Sequence, residues 1–292
     1  MPRGVPKNGF RKTKNYLAKQ ATVLPTQTPI AQVVEETIEQ IQKKLAERFA
    51  ALDTMAVATL VGQNKSLIVS GPAGLGKSYT VMLRAEEHEN DGRKIAVVKG
   101  FVRPTGLYKV LFEHKEAGDV VIFDDADSVF ADDIALNLLK GACDMTKKRT
   151  LSWRAETKME TDDGEQLPTQ FEFNGSIIFI TNVDFDYCIA KGNTRAQHFQ
   201  AMISRSIYLD LMMKTTRDYL VRIEQVAPAM FAAEKVSEQD GNAILSFIRS
   251  HHNNLRELSL RMVLKLINLQ HIDRANWQAL ARTTCFKSKV TI

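Results

Sequence analysis

Residues 71–78 constrain the fold more than any other part of the chain, because they combine three glycines with a lysine and a serine at fixed spacing. The segment reads Gly71, Pro72, Ala73, Gly74, Leu75, Gly76, Lys77 and Ser78. It follows the apolar run 66–70 and precedes a helical pattern, so the order is strand, turn, helix. Glycines let such a turn present successive backbone N–H groups, which bind phosphate oxygens together with the N-terminus of the next helix. The sequence therefore predicts a phosphate-binding loop.

Two side chains at the end of this loop indicate its ligand. In the pattern GxxxxGK[ST], the lysine reaches the β and γ oxygens of a nucleoside triphosphate, and the hydroxyl ligates Mg²⁺. We expect Lys77 to bind the phosphates and to act in catalysis, and Ser78 to ligate the metal. The whole segment from Gly71 to Tyr79 is then the predicted ATP site. The alternative is a tight turn that binds nothing.

A pair of carboxylates, Asp124 and Asp125, ends a second apolar run, Val120 to Phe123. Ligands of α/β proteins collect at the carboxyl ends of buried parallel strands. Hydrolysis of a phosphoanhydride requires one carboxylate near Mg²⁺ and one that polarises a water. We predict that Asp124 ligates Mg²⁺ and that Asp125 activates the water. The alternative, which fits Asp127 better, is that these charges cap the next helix.

Alternation of strand and helix patterns predicts an α/β fold with a parallel sheet flanked by helices. Apolar runs predict five core strands, at 66–70, 94–98, 119–124, 176–181 and 207–211. Residues 150–153 and 170–173 alternate in the manner of a β-hairpin inserted before the fourth strand. After residue 211 only helical patterns remain. We therefore expect a flexible arm (1–28), a nucleotide-binding core (29–211) and a small C-terminal α-helical lid (212–292).

With two further motifs the chain resembles the AAA+ ATPases, a family of P-loop NTPases, from about Val33 to Leu280. The motifs are Thr181-Asn182 at the end of the fourth strand and Ser204-Arg205 just before the fifth. The resemblance implies ATP hydrolysis and a ring-shaped homo-oligomer, such as a hexamer. Compact phage and mobile-element ATPases are similar in style.

The resemblance also implies roles for particular residues. Asn182 occupies the sensor 1 position, where a polar side chain orients the attacking water; capping a turn or a helix is the alternative. Arg205 matches the arginine finger that enters the site of a neighbouring subunit. A surface salt bridge is the alternative role for Arg205, and Arg195 is the second candidate for the finger.

The C-terminal helical region offers a sensor 2 arginine in the same family pattern. Arg261, at the start of a helical pattern, matches best and Arg256 second, and the alternative for either is a solvent-facing residue. One departure concerns Asp125, because the family usually has glutamate there. The shorter side chain is compatible with slow hydrolysis, and a nucleotide-gated switch with almost no turnover is therefore a further hypothesis.

The net charge of +5 is concentrated near the N-terminus, where six cations precede the first acidic residue, Glu35. The hairpin region adds Lys147, Lys148, Arg149, Arg154 and Lys158, with Trp153 among them. Cations interleaved with an aromatic ring suit a nucleic-acid backbone and base stacking. The arm and the hairpin therefore favour a motor that acts on DNA. The alternatives are a solvated arm and a hairpin whose tryptophan packs on the core.

Two remaining features bear on the substrate and the compartment. Gly100-Phe101-Val102 follows the second strand, where the family places a pore loop, so a protein-remodelling chaperone is an alternative function. The three cysteines, Cys143, Cys188 and Cys285, form no CxxC pair, and no uncharged apolar run approaches the ~18 residues of a membrane span. These observations predict a cytoplasmic protein without a membrane partner.

Overall fold

The computed structural model describes residues 36–89, 93–154, 159–160, 164 and 166–288, and from Thr37 onward these form one compact unit. Two sequence predictions lie outside the described residues. They are the arm 1–28 and the position of Lys158 in the inserted hairpin.

The described residues contain ten α-helices and seven strands, numbered in chain order. The helices are α1 (Ile38–Leu60), α2 (Lys77–Glu89), α3 (Pro104–Glu113), α4 (Asp133–Ala142), α5 (Phe185–Ala190), α6 (Ala196–Arg205), α7 (Thr216–Ala233), α8 (Glu238–His251), α9 (Leu260–Ile272) and α10 (Trp277–Cys285). The strands are β1 (Ser66–Ser70), β2 (Ile95–Lys99), β3 (Val120–Asp124), β4 (Thr150–Ser152), β5 (Gln170–Glu172), β6 (Ser176–Thr181) and β7 (Ile207–Asp210).

Five strands form a parallel sheet in the order β2-β3-β6-β1-β7. The three central strands are buried along their whole length, as the uninterrupted apolar runs require when helices cover both faces of a sheet. Each strand lies within one residue of its predicted bounds. The predicted α/β fold with a parallel sheet is confirmed.

Alternate residues of the sheet supply two apolar clusters, one on each face. Val121, Phe123 and Phe179 pack against α3, α4 and α6. Val69, Ile122 and Ile180 face the other way, onto α1 and α2. This division follows from the two-residue period of a strand. All parallel strands therefore end at one edge, where the loops after β1, β3 and β6 meet.

The inserted hairpin consists of β4 and β5, which pair antiparallel with Leu151 opposite Phe171. Both of these side chains are buried in the cluster that contains α3 and α4. The Tyr108 hydroxyl donates to the Pro168 carbonyl at 2.9 Å and adds a polar anchor. The base of the hairpin is thus fixed to the body of the protein.

Helices α7 to α10 enclose an apolar cluster of their own, which includes Ile223, Phe247, Leu266 and Trp277. We call these four helices the lid. Helix α7 also packs on α1, and the first residues of α9 lie on the phosphate loop. The lid therefore contacts the loop directly. Among the described residues, no helix is both long and apolar enough to cross a bilayer.

Candidate functional site

The turn between β1 and α2 has the backbone geometry that its glycines permit. Gly74 has a φ of 74° and Gly76 a φ of 96°, backbone angles that residues other than glycine rarely adopt. A Cβ at Gly74 would lie 2.9 Å from the Cβ of Ser259 on the lid. The predicted residues of this loop differ in exposure, since Leu75 is buried in the core whereas Tyr79 is 73 % exposed. Leu75 therefore offers only its backbone to a ligand.

Lys77, the first residue of α2, is 5 % exposed and turns its ammonium back into the loop. Its Nζ donates to the carbonyls of Gly71 and Pro72, the latter at 2.8 Å, and to Oδ1 of Asn182 at 3.1 Å. Burial lowers the pKa of Lys77 from 10.5 to about 8, although nearby aspartates oppose the shift. Lys77 is thus a cation whose pKa lies closer to neutral pH than that of an ordinary lysine.

Ser78 and Asp124 come together as the predicted metal site requires. The Ser78 hydroxyl donates to Oδ1 of Asp124 at 2.6 Å, and Asp124 is only 5 % exposed. The ammonium of Lys99 lies 3.2 Å from the other oxygen, Oδ2. Among the described residues no group of three metal-ligating side chains exists. One hydroxyl and one carboxylate fit Mg²⁺, which takes its remaining ligands from water and substrate phosphates.

Asp125 and Asn182 form the second polar pair of the site. The Asn182 amide donates from Nδ2 to Oδ1 of Asp125 at 2.9 Å, while its Oδ1 accepts from Lys77. Asp125 has a φ of 53°, and its backbone N–H donates to the Ile180 carbonyl at 3.0 Å. The carboxylate is exposed at the mouth of the site. Asn182 therefore links the lysine of the loop to the carboxylate predicted to activate water.

The capping alternatives for these polar residues do not describe their contacts. The short 3₁₀ helix Asp127–Phe130 has Ala126 at its N-cap, without a side-chain hydrogen bond. Helix α5 is capped by Asp184 rather than by Asn182. Asp127 itself accepts a hydrogen bond from the Thr181 hydroxyl at 2.5 Å, and burial raises its pKa. Asp127 thus ties the end of β6 to the segment that follows β3.

Arg205 lies at the opposite edge of the sheet from the loop. It ends α6, and the next residue, Ser206, has its hydroxyl 2.8 Å from that of Ser66 at the start of β1. Its Nη1 donates to the Ala201 carbonyl at 2.9 Å, and its Nε is 3.5 Å from a carboxylate oxygen of Asp144. A five-residue strand spans about 16 Å, so Arg205 does not reach the phosphate loop of its own chain.

The other predicted arginines differ in their distance from the loop. The Arg261 side chain runs past Gly74, with its Cγ 3.5 Å from where a Cβ would stand. The backbone N–H of Arg256 donates to the Cys285 carbonyl at the end of α10. Arg195 precedes α6 and pairs with Asp133 at 3.1 Å. Of the two sensor 2 candidates, the structure brings Arg261 to the loop.

Besides Arg261, the structure brings to the loop an arginine that the sequence did not predict as a site residue. Arg222, in the interior of α7, lies with its guanidinium 3.3 Å from the ring centroid of Phe49 on α1. Its Nε and Nη2 are each 3.4 Å from the carbonyl oxygen of Leu75 in the loop. Burial lowers its pKa to about 10, which leaves it cationic at neutral pH. No motif surrounds this position, so no local signal marked it.

The hairpin surface is less suited to nucleic acid than its sequence indicated. Arg149 is 4 % exposed and donates to the carbonyls of Ala142 and Gly175 at 2.7 and 2.8 Å. Trp153 packs on the core with its ring 5.8 Å from that of Tyr108. The prediction that both face a nucleic acid is therefore wrong, and for Trp153 the packing alternative holds. Lys147, Lys148 and Arg154 remain exposed.

No protein-family model matches the chain. Its sequence is 34 % identical over 252 residues to the uncharacterised 36.7 kDa protein in the nrdC-mobD intergenic region of Enterobacteria phage T4. The match covers 85 % of this chain and 76 % of the phage protein.

Solved structures with a similar fold are more distant. NtrX from Brucella abortus in complex with ATP gives a TM-score of 0.49 at 14 % identity, covering 89 % of this chain and 55 % of NtrX. The RuvB Holliday junction branch migration motor of Thermotoga maritima gives 0.41 at 16 % identity, covering 81 % and 63 %. Both scores lie below 0.5, and the fold assignment rests instead on the strand order and the phosphate loop.

Proposed function

The chain belongs to the family of the phage T4 36.7 kDa protein, and from the site described above we propose that it is an ATP-hydrolysing motor of the AAA+ type. One observation carries the proposal. At the carboxyl edge of one parallel sheet lie the loop lysine, the Ser78–Asp124 pair and the Asn182–Asp125 pair. The hydrogen bond within the first pair measures 2.6 Å and the one within the second pair 2.9 Å.

Each residue has a defined task in this proposal. The loop N–H groups and Lys77 bind the β and γ phosphates, and Ser78 with Asp124 holds Mg²⁺. When bound, the metal neutralises the charge of the phosphates. Asp125 accepts a proton from the attacking water, and Asn182 fixes the direction of that carboxylate. Arg261 reaches the loop from the lid, where its charge favours the triphosphate.

Replacing Lys77 with Met tests nucleotide binding. We expect the affinity for Mg²⁺–ATP to fall about a hundredfold, because a charge-assisted hydrogen bond to the phosphates is lost. Titration calorimetry of folded protein measures this. Lys94→Met is the matched control, because Lys94 stands just before β2, at the end of that strand far from the phosphate loop, and donates to the Glu113 carbonyl. Equal affinity in the parent and Lys77→Met would contradict the proposed site.

The same titration, repeated at several pH values, tests the charge of Lys77. The free protein loses the Lys77 proton near pH 8, whereas bound phosphates favour the charged form. Binding is therefore strongest below pH 8, and the parent should lose about tenfold in affinity between pH 7 and pH 9. Lys77→Met, which has no proton to lose there, should show no such step.

We further propose that the motor assembles as a ring-shaped homo-oligomer and acts on DNA. Six cations near the N-terminus precede the first acidic residue, and the hairpin exposes Lys147, Lys148 and Arg154. A polypeptide substrate is the second candidate. Phe101, in the loop after β2, is 76 % exposed, and Gly100 beside it has a φ of 82°.

A salt series separates the two substrates. With a non-hydrolysable ATP analogue present, DNA affinity should fall linearly in log–log form as salt rises. Replacing Lys147, Lys148 and Arg154 with alanine should reduce that slope by about three if each contacts a phosphate. The control carries alanine at Lys43, Lys235 and Lys265. Two results together would favour the polypeptide as the substrate. DNA affinity would change with neither salt nor nucleotide, and Phe101→Ala would abolish polypeptide processing.

A further inference from the structure

Two successive carbonyl groups of the phosphate loop are held by the lid. The Gly74 carbonyl accepts from the backbone N–H of Leu260, the first residue of α9, at 2.7 Å. The Leu75 carbonyl accepts from Arg222 on α7. Both contacts join loop residues to side chains or backbone more than 140 positions away in the sequence. The lid therefore holds two successive peptides of the loop, Gly74–Leu75 and Leu75–Gly76, which lie one residue before its lysine.

Holding a carbonyl also orients the next N–H group. In a trans peptide the C=O and the following N–H point in opposite directions. With the carbonyls of Gly74 and Leu75 turned to the lid, the N–H groups of Leu75 and Gly76 are turned away from it. These N–H groups belong to the part of the loop whose amides bind phosphate in the GxxxxGK[ST] pattern.

The glycines of the loop do not restrict these peptides. Gly74 and Gly76 flank them, and glycine reaches both signs of φ at little cost, so the intervening peptides can rotate. The donors on the lid keep both carbonyl oxygens turned away from a site meant for anions. Arg222 is built for this task, because Phe49 stacks on its guanidinium at 3.3 Å and restricts the plane in which it donates.

We infer that Arg222 and the start of α9 act as a lid clamp that aims the N–H groups of the loop at the phosphates, with Arg222 as a positioning residue. This inference rests on the proposed ATP site and deepens it, since it makes docking of the lid a condition for phosphate binding. The Phe49–Arg222 stack also links α1 to the same clamp.

The clamp aims N–H groups at the phosphates and not at the base or the sugar, so its loss should weaken every ligand that carries the same phosphates. We expect Arg222→Met to weaken an ATP analogue and inorganic tripolyphosphate by the same factor, about tenfold, in competition titrations. Arg222→Lys, which keeps the charge but not the planar stack, should recover part of the loss. Arg249→Met is the matched control, because that lid arginine pairs with Glu224 on the outside of the lid.

A double-mutant cycle tests the stack. Phe49→Leu should weaken tripolyphosphate binding about threefold, and adding it to Arg222→Met should change nothing further, because both remove the same contact. Phe49→Leu also replaces Arg222→Met as the primary test if the latter fails to fold.

Three results would overturn the inference: unchanged tripolyphosphate affinity in Arg222→Met or in Phe49→Leu, fully additive losses, or a loss confined to the nucleotide. A parent protein that binds neither ATP nor tripolyphosphate would instead refute the proposed function itself.

Discussion

Asp125→Asn is expected to slow ATP hydrolysis about a thousandfold while nucleotide affinity stays within a few-fold of the parent. The substitution keeps the size of the side chain and the oxygen that accepts from Asn182, but it removes the negative charge that takes the proton from water. Because Asp125 is not a predicted metal ligand, Mg²⁺–ATP binding should persist. Phosphate release in single turnovers, with affinity measured in parallel, separates the two effects.

Asp186→Asn serves as the control for this experiment, since Asp186 is an exposed carboxylate on α5 outside the site. Equal phosphate release from the parent and Asp125→Asn would contradict the assigned role and favour the nucleotide-gated switch. Asp125→Glu adds information about the short side chain. The φ of 53° suits aspartate and asparagine better than longer residues, so the glutamate variant should fold less stably than the parent.

The site was predictable where its chemistry is local in sequence. The glycines, Lys77 and Ser78 stand within eight positions, and Asp124 ends an apolar run whose burial follows from its composition. Parallel strands then bring the ends of β1, β3 and β6 to one edge without further information. The contact between Ser78 and Asp124, 46 positions apart, needs only this topology.

Other features depend on contacts that no local pattern encodes. Arg149 stands in a run of cations, yet it is buried, and the carbonyls of Ala142 and Gly175 accept its hydrogen bonds there. Arg222 is separated from Leu75 by 147 positions and reads as an ordinary helix residue. From the sequence, Trp153 could either stack on a nucleic-acid base or pack on the core. Its packing against Tyr108 decides for the core. Tertiary packing thus selects which cations remain available to a ligand.

Arg205→Ala is the second variant with a large expected effect. Arg205 sits at the edge of the sheet opposite its own loop, so a catalytic role requires a neighbouring copy, in a head-to-tail interface that closes into a ring. An arginine supplied in this way is worth about 10³-fold or more in hydrolysis. We therefore expect Arg205→Ala to lose that factor in phosphate release, while each subunit still binds ATP.

Mixing variants turns this expectation into a test of the shared site. Arg205→Ala subunits keep Asp125, and Asp125→Asn subunits keep the arginine, so an equal mixture should regain about a quarter of the parental rate if neighbours complete each site. Arg195→Ala is compared in the same assay, because it is the second candidate for the finger.

Asp144→Asn distinguishes a finger from a structural salt bridge. It removes the carboxylate that faces Arg205 at 3.5 Å without touching the arginine. If Arg205 serves only this pair, both variants should lower the free energy of unfolding by a similar amount, and both should hydrolyse ATP at the parental rate. If Arg205 acts on a neighbour, Arg205→Ala stops hydrolysis and Asp144→Asn does not. The rate per subunit of the parent protein then falls as that protein is diluted.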